Sequence, residues 1–86
     1  MNQYDCEAVA RAFGKTLRAA RTRRGISQDK FAKIAGIDRA CPSRLERGKV
    51  APTLTSLFRL AEGLGIKTSQ LVRDLERRFE NSDSVK

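Results

Sequence analysis

Residues 25–48, Gly-Ile-Ser-Gln-Asp-Lys-Phe-Ala-Lys-Ile-Ala-Gly-Ile-Asp-Arg-Ala-Cys-Pro-Ser-Arg-Leu-Glu-Arg-Gly, leave this chain few ways to fold. Ser27 suits a helix N-cap, because its side-chain oxygen accepts a backbone N–H that the first turn leaves free. Phe31, Ile34 and Ala35 follow at the spacing that lines one helical face, here toward a core. Gly36 permits the left-handed backbone that ends a helix sharply. Asp38 can then cap a second helix, which has Leu45 as a core residue, ends near Arg47 and leaves Gly48 beyond it. The pattern predicts two short helices joined by a tight turn, the second carrying Arg39, Arg44 and Arg47.

The flanks extend the pattern. A first helix is predicted from about Glu7 to Arg24, with Val9, Phe13, Leu17 and Ala20 on one face and Gly25 ending it. Asp5 and Glu7 near its start, and Arg21, Arg23 and Arg24 near its end, suit the helix dipole. Pro52 and Thr53 open a fourth helix, in which Leu54, Leu57, Phe58, Leu60, Ala61 and Leu64 form a broad apolar stripe ended by Gly65. A fifth starts near Thr68 with the stripe Leu71, Val72, Leu75 and Phe79, and the polar end 81–86 reads as a frayed tail. The expectation is an all-α chain, 1–86, forming one five-helix domain without an internal linker or repeat.

Composition removes several classes of function. The chain has 86 residues, 40% of them hydrophobic, which suits one folded domain with a modest core. No apolar run approaches the roughly 20 residues that span a bilayer. The start, Met-Asn-Gln-Tyr-Asp-Cys-Glu, lacks the basic and apolar stretches of a secretory signal, so a cytoplasmic location is expected and Cys6 and Cys41 read as thiols. With no His and only two Cys, the chain cannot build a four-ligand zinc site of the usual kind. It also lacks a phosphate-cradling glycine loop and suitably spaced paired carboxylates. Neither an enzyme nor a metal, cofactor or small-molecule substrate is expected.

Charge points to a partner. The net charge is +8, yet residues 11–50 alone hold 12 basic and 3 acidic side chains, while the other 46 residues hold 6 basic and 7 acidic. One sign concentrated in one half is the footprint of a polyanion partner. Two short helices across a glycine turn, with the second basic, are the arrangement that lays one helix in the major groove of double-stranded DNA.

Phe13-Gly-Lys, Arg24-Gly-Ile-Ser-Gln, Ala35-Gly-Ile-Asp-Arg, Ser43-Arg-Leu-Glu-Arg-Gly-Lys49, Pro52-Thr-Leu and Leu60-Ala-Glu-Gly-Leu-Gly-Ile66 stand in the order and spacing of a known group. Over residues 13–75 the chain resembles the Xre/Cro/C1 family of helix-turn-helix regulators, which includes phage repressors and restriction–modification controller proteins. The resemblance implies a compact lambda-repressor-like domain and assigns roles by position. Gln28, at the start of the second helix, would hydrogen-bond a DNA phosphate, helped by the helix N-terminus. Arg39, Ala40, Ser43 and Arg44 would face base edges, where Arg can pair with guanine, Ala can touch a thymine methyl and Ser can donate or accept. A phosphate is the alternative target for Arg39 and Arg44. Arg47 and Lys49 would clamp the backbone and add affinity without sequence information.

Three residues need separate treatment. Pro42 stands where the family has Ile or Val; its ring disfavours a helical Cys41, so the recognition helix is expected to start late, near Pro42, with Arg39 to Cys41 in a looser turn. Glu46 reads as structural, tying that helix to neighbouring basic or backbone donors. Cys41 reads as a small, partly buried side chain rather than a redox thiol.

Two functions are expected from these residues. The first is a sequence-specific transcription regulator, a repressor binding a palindromic operator as a homodimer and responding to its own concentration or to a partner. Leu71, Leu75 and Phe79, one turn apart on the fifth helix, are the expected dimer interface, with a fold-back of Phe79 onto Val9 or Tyr4 as the competing arrangement. The second is the antitoxin of a toxin–antitoxin pair, which would bind a partner protein and regulate its own operon.

Overall fold

The computed structural model describes residues 3–85, with side chains over 3–80, and these form five α-helices and no strand. They are α1 (Cys6–Arg24), α2 (Gln28–Ala35), α3 (Cys41–Glu46), α4 (Leu54–Leu64) and α5 (Thr68–Val85). The expected tail falls at the end of α5, and its side chains and residue 86 lie outside the described residues.

The helix boundaries have local causes. Asp5, Ser27 and Thr53 cap α1, α2 and α4, their side-chain oxygens accepting the N–H groups of Ala8, Lys30 and Ser56. Gly36 ends α2 with φ 68° and accepts no substitute easily, since an L side chain is strained there. Its N–H turns back onto the carbonyls of Ala32 and Lys33, which releases the chain toward α3 within a few residues.

The core draws on all five helices: Phe13 and Leu17 from α1, Phe31 from α2, Leu45 from α3, Leu60 from α4 and Leu71 from α5 are each 0–2% exposed. α1 is the centrepiece and touches α3, α4 and α5, while α2 packs on α3 and α4. The α1–α3 crossing is close because Gly14 has no side chain. A Cβ there would sit 2.5 Å from the Leu45 carbonyl oxygen and 2.7 Å from that of Glu46.

Four expected core assignments are corrected, among them Val72 of α5, which is 40% exposed. Ile34 is 44% exposed, and Ala32, 3% exposed, faces the core in its place. Leu54 and Phe58 are 72% and 58% exposed, so the buried stripe of α4 is narrower than its apolar content. The cause is common to all four: α2, α4 and α5 are each covered along one side, and apolar residues at the margin of the stripe are left partly uncovered.

Candidate nucleic-acid interface

The turn after Gly36 sets the start of α3. Asp38 accepts the Ala40 N–H through Oδ2 at 3.3 Å, and its carbonyl accepts the Cys41 N–H at 2.9 Å. Asp38 therefore closes a local turn rather than capping α3, whose N-cap is Ala40 without a side-chain hydrogen bond. Cys41 and Pro42 are the first two residues of the helix. A proline in that first turn removes no intrahelical bond, since these N–H groups have no partner in the helix. Its ring is fully buried. The late helix start expected from Pro42 is observed in part: Arg39 and Ala40 lie in the preceding turn, but Cys41, expected there with them, is already helical.

Buried Pro42 and Leu45 fix the inner face of α3 and so determine what is left outside. Arg44 and Arg47 are exposed, Ser43 is half-buried beside them, and Lys49 is exposed just past the helix. Arg44 has no carboxylate partner among the described residues. The Arg47 Nε donates to the Ser43 carbonyl at 3.4 Å, which lays its stem along the helix. Arg39 pairs with Asp29 of α2 at 3.3 Å, both largely exposed. An exposed pair of this kind contributes about 0–1 kcal/mol and yields readily to a stronger anion.

Behind this surface lies a buried polar cluster. The Arg21 Nε donates to Glu46 Oε2 at 2.5 Å and a second guanidinium nitrogen donates to Oε1 at 3.0 Å, with side chains 12% and 4% exposed. The hydrogen bond from Arg21 to Glu46 dominates its environment and holds the guanidinium pKa above its ordinary value, against the opposing effect of burial. Arg21 also donates to the Ile26 carbonyl at 2.7 Å, and the Gln28 amide donates to Glu46 Oε1 at 3.0 Å. Glu46 thus ties α3 to the end of α1 and the start of α2, the structural role expected of it. Gln28 joins this cluster through one N–H; an amide carries two, and Glu46 engages only one of them. Arg21 was not singled out in the sequence. Four arginines crowd residues 18–24, and periodicity alone does not say which one faces α3.

Cys41 is half-buried, and burial pushes its thiol pKa up, outweighing the lowering by Arg44. A thiol held protonated suits packing rather than redox sensing.

Of the stripe expected to meet a partner copy, Leu71 is corrected. Leu71 is 0% exposed and belongs to the core, and Leu75 packs partly against the same core. Phe79 sets its ring edge against Tyr4 with centroids 5.0 Å apart, and Val9 and Val72 help line this shallow apolar groove. The expected fold-back of Phe79 onto Tyr4 is present, with Leu75 and Phe79 left half-buried beside the groove.

The comparisons agree with this geometry. Residues 17–71 match the family model described as Helix-turn-helix. The chain is 36% identical over 66 residues to Control protein C.MunI of Mycoplasma sp, covering 76% of this chain and 89% of that protein. It is 35% identical over 68 residues to the SPbeta prophage-derived uncharacterized HTH-type transcriptional regulator YonR of Bacillus subtilis (strain 168), covering 79% of this chain. The chain spans 63% and 37% of the lengths of two of the transcriptional regulators it matches. In structure it is similar to the restriction-modification controller protein C.AhdI from Aeromonas hydrophila, with TM-score 0.71 and 36% identity over 74% of this chain and 97% of that one.

Proposed function

The chain belongs to the helix-turn-helix family, and from that premise we propose that it is a cytoplasmic, sequence-specific double-stranded DNA-binding regulator that represses transcription by occupying a palindromic operator as a homodimer. The observation that carries the reading is the outer face of α3. Arg44 stands exposed on a helix whose other face is locked into the core by Pro42 and Leu45, and Arg47 is exposed at its C-cap. A helix held by its inner face, with an exposed guanidinium that no carboxylate pairs, is suited to base reading in a major groove. Ser43 and Arg44 contact base edges. Arg39 and Ala40 do so from the preceding turn, once Arg39 leaves Asp29. Gln28, Arg47 and Lys49 take phosphates.

One short helix reads too few base pairs to select a site from a genome, so a second copy is needed. With Leu71 enclosed, the most exposed large apolar side chains, Leu54 and Phe58, lie on α4 and favour that helix as the contact. Leu54 and Phe58 lie one turn apart there, with exposed Arg59 and Glu62 on the same helix. A patch carrying both signs is self-complementary across a two-fold axis, Arg59 of one copy facing Glu62 of the other.

Selection of bound duplexes from a random-sequence pool tests the reading. Two inverted half-sites with centres one helical turn apart, about 34–36 Å, are expected. A pool that shows no enriched sequence, or a single unrepeated half-site, contradicts it.

A further inference from the structure

The basic half of the chain carries its charge unevenly. Residues 11–24, all in α1, hold six basic and no acidic side chains, whereas residues 25–50 hold six basic and three acidic. The larger net charge is therefore on the helix that has no assigned DNA contact. Arg21 is engaged with Glu46, and Arg24 donates to the Gly63 carbonyl of α4. Arg11, Lys15, Arg18 and Arg23 remain, all exposed, and spacings of four and three put the first three on one helical face. Arg11 makes a 3.4 Å pair with Glu7, with side chains 63% and 87% exposed. Lys15 and Arg18 make no ion pair among the described residues.

This stripe continues the surface around α3. A Cβ on Gly48 would lie 3.1 Å from the Arg11 Cα, so Arg11 sits directly against the backbone between Arg47 and Lys49. On the other flank Arg78 of α5 donates to the Thr16 hydroxyl at 2.8 Å and to the Lys15 carbonyl at 3.3 Å, which fixes a further cation beside the stripe.

We infer that Arg11, Lys15 and Arg18 form a second phosphate-binding surface for the same DNA, taking the backbone that flanks the site under α3; this rests on the DNA-binding reading above. Like charges one turn apart on a helix repel, and a polyanion relieves that repulsion. Seven residues at about 1.5 Å each spread the three cations over about 10 Å, and over that length of duplex axis one DNA strand carries about three phosphates. A protein partner fits less well. Protein interfaces centre on aromatic and other large anchors, and the exposed large apolar side chains, Tyr4, Ile34, Val50, Leu54, Phe58 and Val72, all lie outside α1.

The test is the salt dependence of binding to a fluorescent random-sequence duplex of about 30 base pairs, a length chosen to exceed the roughly 20 base pairs of two half-sites one turn apart. Lys15→Ala/Arg18→Ala, at exposed helical positions where alanine is well tolerated, should lower the slope of log K against log salt by nearly two, at about 0.9 per phosphate. Arg47→Ala/Lys49→Ala should lower it comparably. Lys67→Ala/Arg73→Ala, which removes the same charge from α5 and the turn before it, should change it by less than half as much. If the recognition-helix pair lowers the slope while the α1 pair does not, or does no more than the control, the inference is wrong and the DNA-binding reading stands. If the unmodified protein does not bind the duplex at all, both fall.

Discussion

Replacing Glu46 by Gln removes one buried charge and keeps the side-chain volume. In the folded chain the Glu46 side chain is 4% exposed and accepts from Arg21 twice and from Gln28 once. After Glu46→Gln the new amide still offers one oxygen, but its NH₂ group meets the N–H donors that the second carboxylate oxygen received. Arg21, 12% exposed at its side chain, keeps its charge without a counter-ion. Removing one partner of such a buried pair costs about 3–5 kcal/mol. Retention of one hydrogen bond puts Glu46→Gln at the lower end, about 3 kcal/mol. For a domain of this size a loss of 1 kcal/mol lowers the melting temperature by about 4–8 °C, so a drop of about 12–24 °C is expected. Urea unfolding followed by helical circular dichroism measures this. Arg21→Met/Glu46→Leu removes both charges and should be less destabilising than Glu46→Gln alone, because no unpaired ion remains. A loss below about 1 kcal/mol for Glu46→Gln, the scale of one ordinary hydrogen bond, would refute the view that this cluster holds α1, α2 and α3 together.

Other expectations follow from single positions. Gly14→Ala should destabilise by about 2 kcal/mol or more, because its Cβ meets two backbone carbonyl oxygens of α3 and overpacking outweighs the gain in helix propensity; a thermal melt showing stabilisation would mean that α3 moves away freely. Phe58→Arg should convert a sedimenting dimer to a monomer and leave the urea midpoint within experimental error, since Phe58 is 58% exposed within the chain; an unchanged dimer would exclude the α4 surface. Cys41 should react with iodoacetamide at least several-fold more slowly than exposed Cys6 at neutral pH, since burial raises its pKa and withholds the thiolate; mass spectrometry of the labelled peptides reads this, and faster labelling of Cys41 would reopen a redox role.

Helix boundaries were legible in the sequence because caps and glycines act locally: Asp5, Ser27, Thr53, Gly25, Gly36 and Gly65 need only their own neighbours to start or stop a helix. The late start of α3 was legible to within one residue, since proline suits the first turn of a helix, although Cys41 before it joins the helix as well. Ile34, Leu54 and Phe58 were misplaced because helical spacing gives a face but not the width of the element that covers it. Leu71, Leu75 and Phe79 show the same limit in a different form. Their four-residue spacing marks an apolar seam, but whether that seam meets α1 or a second copy depends on Tyr4 and Val9, some 70 residues away in sequence. Glu46 announced its need for a partner by being acidic in a basic segment, and only the crossing at Gly14 selects Arg21 among its neighbours.

Base reading by α3 is tested most directly by fluorescence anisotropy of Arg44→Ala, at one fixed salt concentration, on the duplex recovered by selection and on a random duplex of equal length. Arg44 is exposed and unpaired by any carboxylate among the described residues, so its removal should leave the fold intact. Binding to the selected duplex should weaken by about 1–3 kcal/mol per half-site contact, with preference relaxed at one base pair. Binding to the random duplex should change by much less. An equal loss on both duplexes would show that Arg44 holds a phosphate, and would contradict the account of α3 as the helix that reads the sequence.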